Sequence, residues 1–396
     1  MLFKKNHNSG EATSPTKNIY RRAAIALTVG LWAAGTATSA MAETREFMVK
    51  WFVEAANAYP DNSDCPLGLN KSPEEMFRAQ LAAIGMPKDE AEYLVVNING
   101  GSSPPDVREA LTYRGRVDGR PMQAYTYPTS VPDLKLWNVN KGPYAFGFNL
   151  DGKTDANDFT DPDTNEKGVD NSYWAIAGCQ TNQRGSRTEL PTFGARHWDF
   201  ARDKSPAWLV RLVADDFTKD GEVTVYIFRA MERAARDATG SLRRYWTFRR
   251  DPDPRWQNSF KGKIKDGVMT AVGERFEMLG DPFGISNFKL RTPSFHGYFN
   301  PDGSLEAVLG GFVPWKTLFF VGGSGAYNFE TMTGTNVPAF YYALRNGADA
   351  APDPKTGQNT EISGAWRIEG IQAFIAESAQ SALTTPNAAE KARSSK

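Results

Sequence analysis

Residues 220–228 read DGEVTVYIF, an Asp-Gly turn running into a strand, and the alternation of its side chains decides the fold class. Val223, Val225 and Ile227 fall on one face of a period-two strand, the pattern of a core-facing surface. Tyr226 and Phe228 make the opposite face apolar as well. A strand with two apolar faces belongs between layers or beneath a covering loop. The first option predicts a mainly β chain, an antiparallel β-sandwich of jelly-roll or concanavalin-like form with a few short helices. The segments DGVMTAV at 266–272 and DGSLEAV at 302–308 repeat the same form, the rhythm of a meander. The turn before the last of them, Asn300-Pro301-Asp302-Gly303, places Pro and Gly where a type I turn accepts them.

Outward from these strands the punctuation is local. Glu46 to Val53 reads as a strand apolar on both faces. Ser72-Pro73-Glu74-Glu75 supplies a helix N-cap, a first-turn proline and a capping-box glutamate. Pro338 to Arg345 reads as a short helix stopped by Gly347, and Gly322-Gly323-Ser324-Gly325 as a loop. The turn-rich Gly100 to Pro105 divides an N-terminal strand and helix subdomain (43–100) from a β-rich main domain (101–377). Residues 378–396, small and polar, read as a disordered tail.

The N-terminus reads as an address. Basic residues at Lys17, Arg21 and Arg22 precede the apolar run Ala23 to Trp32, and Ala40-Met41-Ala42 has the form that signal peptidase cuts. Residues 1–42 are therefore expected to be a signal peptide, by the Sec or the twin-arginine route, delivering a periplasmic or secreted protein. The run is too polar for a membrane anchor, so no stable membrane span is expected after cleavage. Lys plus Arg equals Asp plus Glu at 46 each, which provides no global field for nucleic acid. Two cysteines, Cys65 and Cys179, in an oxidising compartment predict one disulfide. Neither lies in a CxxC or CxxCH context, so covalent haem is unsupported, and no phosphate-binding glycine loop supports a nucleotide.

Three groups of residues could carry chemistry. Residues 151–171 hold seven carboxylates against Lys153 and Lys167. Within them Asp161, Asp163 and Asn165 have the alternation by which calcium loops present oxygens, with Asp170 closing the set. The glycine and twelfth-position glutamate of an EF-hand are missing, and a solvated acidic loop is the plain alternative. Exposed loop acids are not expected to reach the raised pKa that a glycosidase acid needs. His197, Asp199 and His296 could serve a periplasmic metal-dependent hydrolase or oxidoreductase, although a histidine beside a tryptophan is more often packed. Arg243, Arg244 and Trp246, in the arginine-rich stretch 229–255, could grip an anionic ligand or a partner's acidic surface; the plain reading pairs those arginines with the acidic stretch.

Residues 148–152 and 168–179, together with 302–315 and 351–369, resemble an uncharacterised family of secreted bacterial β-rich proteins of unknown activity. The likeness covers scattered motifs from 148 to 370. It implies one module holding the acidic stretch, Cys179 and the Gly310-Gly311 strand. The expected function is an exported periplasmic binding or accessory protein, calcium-stabilised if the acidic stretch holds an ion, with the metal-dependent enzyme as alternative.

Overall fold

The computed structural model describes residues 42–97, 105–279 and 287–377. Eight strands close on themselves: β1 (Glu43–Glu54), β2 (Trp208–Ala214), β3 (Gly221–Arg229), β4 (Gln257–Lys265), β5 (Val268–Gly273), β6 (Phe288–Phe299), β7 (Leu305–Pro314) and β8 (Asn359–Ala376). Each pairs antiparallel with the next, and β8 returns to β1, with Phe47 opposite Gln372 and Glu54 opposite Trp366. This is an up-and-down barrel, which removes the open edges that a sandwich keeps.

The barrel corrects the expected sandwich, and β3 shows why. Val223, Val225 and Ile227 point into the barrel core, as the alternation predicts. Phe228 on the outer face meets no second sheet. It joins Met48, Leu209, Phe248 and Ile371 in a separate cluster, with Tyr226 packed against it. The chain between Ala230 and Arg250 covers that cluster and returns through a short strand, Trp246–Arg249, parallel to the end of β8. A loop thus does the covering that a second layer would have done.

The interior is filled. Phe52 and Trp208 lie 4.7 Å apart between ring centroids, and Phe288 and Trp366 4.8 Å, all buried. An eight-stranded barrel is just wide enough for side chains to fill. The apolar residues Phe260 and Ile264 of β4 face inward while Ser259, Lys261, Lys263 and Lys265 face water. That is the reverse of a lipid-facing stave. Among the described residues no helix is long and apolar enough to cross a membrane.

Turns follow the sequence closely. Asp266 and Gly267, between β4 and β5, take φ of 50° and 80°, the backbone of a two-residue hairpin. Gly303 at φ 77° closes the β6–β7 turn, donating its N–H to the Asn300 carbonyl at 2.8 Å.

Helices fill the two long insertions. Between β1 and β2 lie α1 (Pro73–Ala83), α2 (Lys88–Val96), α3 (Pro105–Thr112), α4 (Ser172–Ala177) and α5 (Thr192–Lys204). Between β7 and β8 lie α6 (Trp315–Thr333) and α7 (Val337–Gly347). The Ser72 hydroxyl accepts the Glu75 N–H at 3.4 Å, as the capping motif predicts, and Asn336 caps α7 through the Ala339 N–H at 3.0 Å. The expected loop at Gly322–Gly325 is instead part of α6. Trp315, Leu318 and Phe329 join α6 to the barrel core, and tertiary packing outweighs the low helix propensity of glycine.

Cys65 and Cys179 form the expected disulfide, with Cα atoms 5.8 Å apart. The expected signal peptide, apart from Ala42, the 378–396 tail and the Gly100 to Pro104 boundary lie outside the described residues.

Candidate functional site

The barrel interior is filled, and a cleft of about 1140 Å³ opens on its flank. One wall is the run 132–143, which belongs to no helix or sheet and turns at Lys135, where φ is 54°. Trp137 stands in it, fixed by an indole N–H donated to the Ile176 carbonyl at 2.9 Å and by the Phe340 ring at 5.4 Å. The facing wall is α7, where the Tyr342 hydroxyl donates to the Val131 carbonyl at 2.8 Å, together with the short strand Ala350–Pro352. The acidic stretch supplies the rim.

That stretch does not act as one unit. Asp161 is fully buried and turned into its own loop, accepting the N–H groups of Gly147 at 3.0 Å, Asp163 at 2.9 Å and Thr164 at 2.8 Å. Asp163 pairs with Arg187 at the small cavity beside His296, which Asp170 does not line. Asp155, Asp158 and Asp170 line the cleft instead, and Asn165 is exposed at the loop's tip with φ 58°. The four residues expected to share a calcium ion are therefore not gathered around one point. Among the described residues no group of three or more His, Cys, Asp or Glu side chains could hold a metal.

Asp170 is where the chemistry concentrates. Its half-buried carboxylate accepts the N–H groups of Leu150 at 2.7 Å and Asp151 at 3.1 Å, closing the loop at the cleft. Burial pushes this carboxyl up to about 6; the charges of Asp151 and Asp158 add to the rise, and the two backbone donors oppose it. The expectation that exposed loop acids keep unraised values did not cover Asp170, which is half-buried at the cleft. A raised folded-state pKa means the contribution of Asp170 to stability is full below about 3.9 and is lost as pH rises through about 6. Asp170→Asn should therefore unfold at a higher temperature than the parent at pH 7.5, by less than about 1 kcal/mol after solvent screening, with the gap closing at pH 4. Paired thermal melts at the two pH values check this, and a parent that is the more stable at pH 7.5 refutes it.

Three ion pairs lie elsewhere in the cleft, Asp133 with Lys135 at 2.5 Å, Asp151 with Lys153 at 2.9 Å, and Arg291 with Glu361 at 2.6 Å, while Lys141 lines it outside any ion pair among the described residues. Asp349 accepts the Ser172 hydroxyl and the Ser363 N–H, each at 2.8 Å. Among the described residues Asp155, Asp158, Asp170 and Asp349 line the cleft outside any ion pair, against Lys141, which leaves it a surplus of negative charge.

The other expected residues fall apart in space. The His197 ring shares a hydrogen bond with the Phe193 carbonyl at 3.0 Å inside α5 and packs on the Phe193 ring at 4.4 Å, while Asp199 pairs with Arg202. His296 lies on β6 beneath Phe148, with ring centroids 5.1 Å apart. Burial holds its imidazole below the ordinary value; Asp161 works against that and Arg187 with it. The cavity beside it, about 10 Å³, has room for about one water and none for a substrate. The histidines thus do not assemble a metal or acid–base centre.

Arg244 pairs with Asp302 at 2.8 Å, and Arg243 lies 4.4 Å over the exposed Trp246 ring. Their neighbours Arg229, Arg249 and Arg255 pair with Asp251, Glu232 and Asp253 in the same segment, and not with the acidic stretch. Trp137, Tyr342 and Arg187 escaped the sequence reading; the run 132–143 has no period to mark it, and a lone arginine at 187 carries no local cue. The chain matches no family model, no curated protein and no solved structure, so the reading of this site rests on its own geometry.

Proposed function

We propose that this chain is an exported binding or accessory protein whose ligand occupies the flank cleft. The observation that carries the reading is one concave site combining Trp137 and Tyr342 with four carboxylates outside any ion pair, Asp155, Asp158, Asp170 and Asp349, with Asp170 shifted to about 6. A large cavity with a few convergent polar groups and a perturbed acid is the usual form of a binding site. The binding reading is favoured over the enzyme alternative because neither His197, bonded within α5, nor His296, packed under Phe148, lines the cleft. The signal-like N-terminus and the disulfide support an oxidising compartment. The favoured ligand carries positive charge.

A thermal-shift screen of polyamines, amino sugars and basic peptides tests this. A ligand at 100 times its Kd should stabilise the parent by about 2.7 kcal/mol. The same ligand should shift Trp137→Ala and Tyr342→Ala far less. The cleft reading fails when no compound shifts the parent, or when both variants respond as the parent does.

A further inference from the structure

We propose that the Cys65–Cys179 bridge is an exchangeable redox gate on the cleft, and that Cys65 is the sulfur a reducing dithiol attacks. The gate takes its purpose from the cleft being the binding site, while its chemistry is independent of any ligand. Arg184 is the residue that points to it. Its guanidinium donates to Cys65 Sγ at 3.3 Å, to the Asp64 carboxylate at 2.8 and 3.1 Å, to the Tyr59 carbonyl at 2.8 Å and to the Gly178 carbonyl. A buried bridge in apolar surroundings is inert, whereas a cation beside one sulfur stabilises that sulfur as a thiolate. A thiolate so held is the better leaving group. Access also differs between the two sulfurs. Cys179 is fully buried after α4, but Cys65 is 4% exposed in a loop whose residues 60–63 and 66–68 are all exposed. Exchange therefore needs a local opening of 60–68 and leaves the barrel closed.

The exchange balances in two steps. One thiolate of the dithiol attacks Cys65 Sγ, the bond to Cys179 breaks, and its electron pair leaves on Cys179, which takes the proton of the dithiol's second thiol. That second sulfur, now a thiolate, attacks its partner sulfur in the mixed disulfide, and Cys65 leaves as a thiolate beside Arg184. Two electrons have passed to the cysteines, and the dithiol is left as a disulfide. What the gate moves is the cleft wall. The Asn138 side chain, next to Trp137, donates to the carbonyls of Leu67 at 3.0 Å and Gly68 at 3.1 Å, and Asn70 donates its N–H to the Cys179 carbonyl at 2.8 Å. Releasing Cys65 from Cys179 frees the loop on which that wall hangs.

Reduction of the folded parent by dithiothreitol, quenched with acid and read by alkylation and mass spectrometry, provides the first test. The rate should rise linearly with dithiothreitol and change little up to about 1 M urea, as local opening requires. A rate that climbs with urea along the slope of global unfolding overturns the proposal, because only the unfolded chain is then reduced. In the single variants Cys179→Ala and Cys65→Ala, iodoacetamide at neutral pH should reach Cys65 about 10-fold faster than Cys179. Adding Arg184→Gln to Cys179→Ala should slow Cys65 roughly tenfold, and Arg184→Lys should restore most of the rate, with circular dichroism as the folding control. Equal reactivity of the two thiols, or no effect of Arg184→Gln, overturns the assignment of Cys65. Hydrogen exchange in 134–141 should quicken on reduction by a larger factor than in the barrel strands, and an equal factor overturns the gate. No readout uses a ligand, so a failed gate and a failed ligand screen are told apart.

Discussion

Removing the Cys65–Cys179 bridge by the double variant Cys65→Ala, Cys179→Ala should lower unfolding stability by about 4 kcal/mol, with reduction of the parent having the same effect. The bridge spans 114 residues of sequence, and a cross-link over so long a loop strongly restricts the unfolded chain. Its loss should also reach the cleft. The loop that carries Cys65 holds the cleft wall: Lys141 donates its N–H to the Asp64 carbonyl at 2.7 Å, the Asn140 side chain donates to Asp64 at 2.6 Å, and the Asn138 N–H goes to Asn70. Urea unfolding of the oxidised, reduced and substituted proteins measures the effect. A difference below about 1 kcal/mol would show that the loop is held without its cross-link.

The second large effect is expected at Arg114 and Glu330. Both side chains are fully buried and meet at 2.7 Å, joining the end of the α1–α3 insert to α6. The guanidinium also donates to the Gln80 side chain at 2.9 Å and to the Leu111 carbonyl at 2.6 Å. Glu330 further accepts the Tyr125 hydroxyl at 2.7 Å and the Val337 N–H at 2.8 Å. Every charge in the group is met, so removing one partner strands the other away from water. Glu330→Ala or Arg114→Met alone should cost about 3–5 kcal/mol, whereas Arg114→Met with Glu330→Met should cost clearly less than the sum. A double-mutant cycle in urea reads the coupling directly. Additive single effects would mean that the two groups do not depend on each other, against the geometry seen here.

Legibility from the sequence followed the range of the interactions. The Asp-Gly turns were readable because positive φ is a property of one or two residues, and both Asp266-Gly267 and Gly303 adopt it. The Ser72 cap was readable because it depends on residues three apart. α6 was not, because its glycines argue locally against a helix that only packing on the barrel sustains. Of the candidate site, Asp170 was singled out, but for an ion that Asp161 and Asp163 do not help to hold. Its environment depends on whether the Asp170 side of the loop turns toward the cleft or the barrel.

The sequence by itself determined the strands that became β1, β3, β5 and β7, the turns before β5 and β7, the inward face of β3, and the only pair of cysteines available to bridge, because period-two alternation, φ preference and cysteine count act within a strand or a composition; β2, β4 and β8 carried no such mark. Only the tertiary structure decided between barrel and sandwich. A strand with two apolar faces reads alike beneath a loop or a second sheet, and closure depends on β1 meeting β8 from the far end of the chain. The cleft was decided the same way: an unpatterned run outside any sheet, a helix after β7 and half of an acidic loop become one concave surface only when the barrel brings them together.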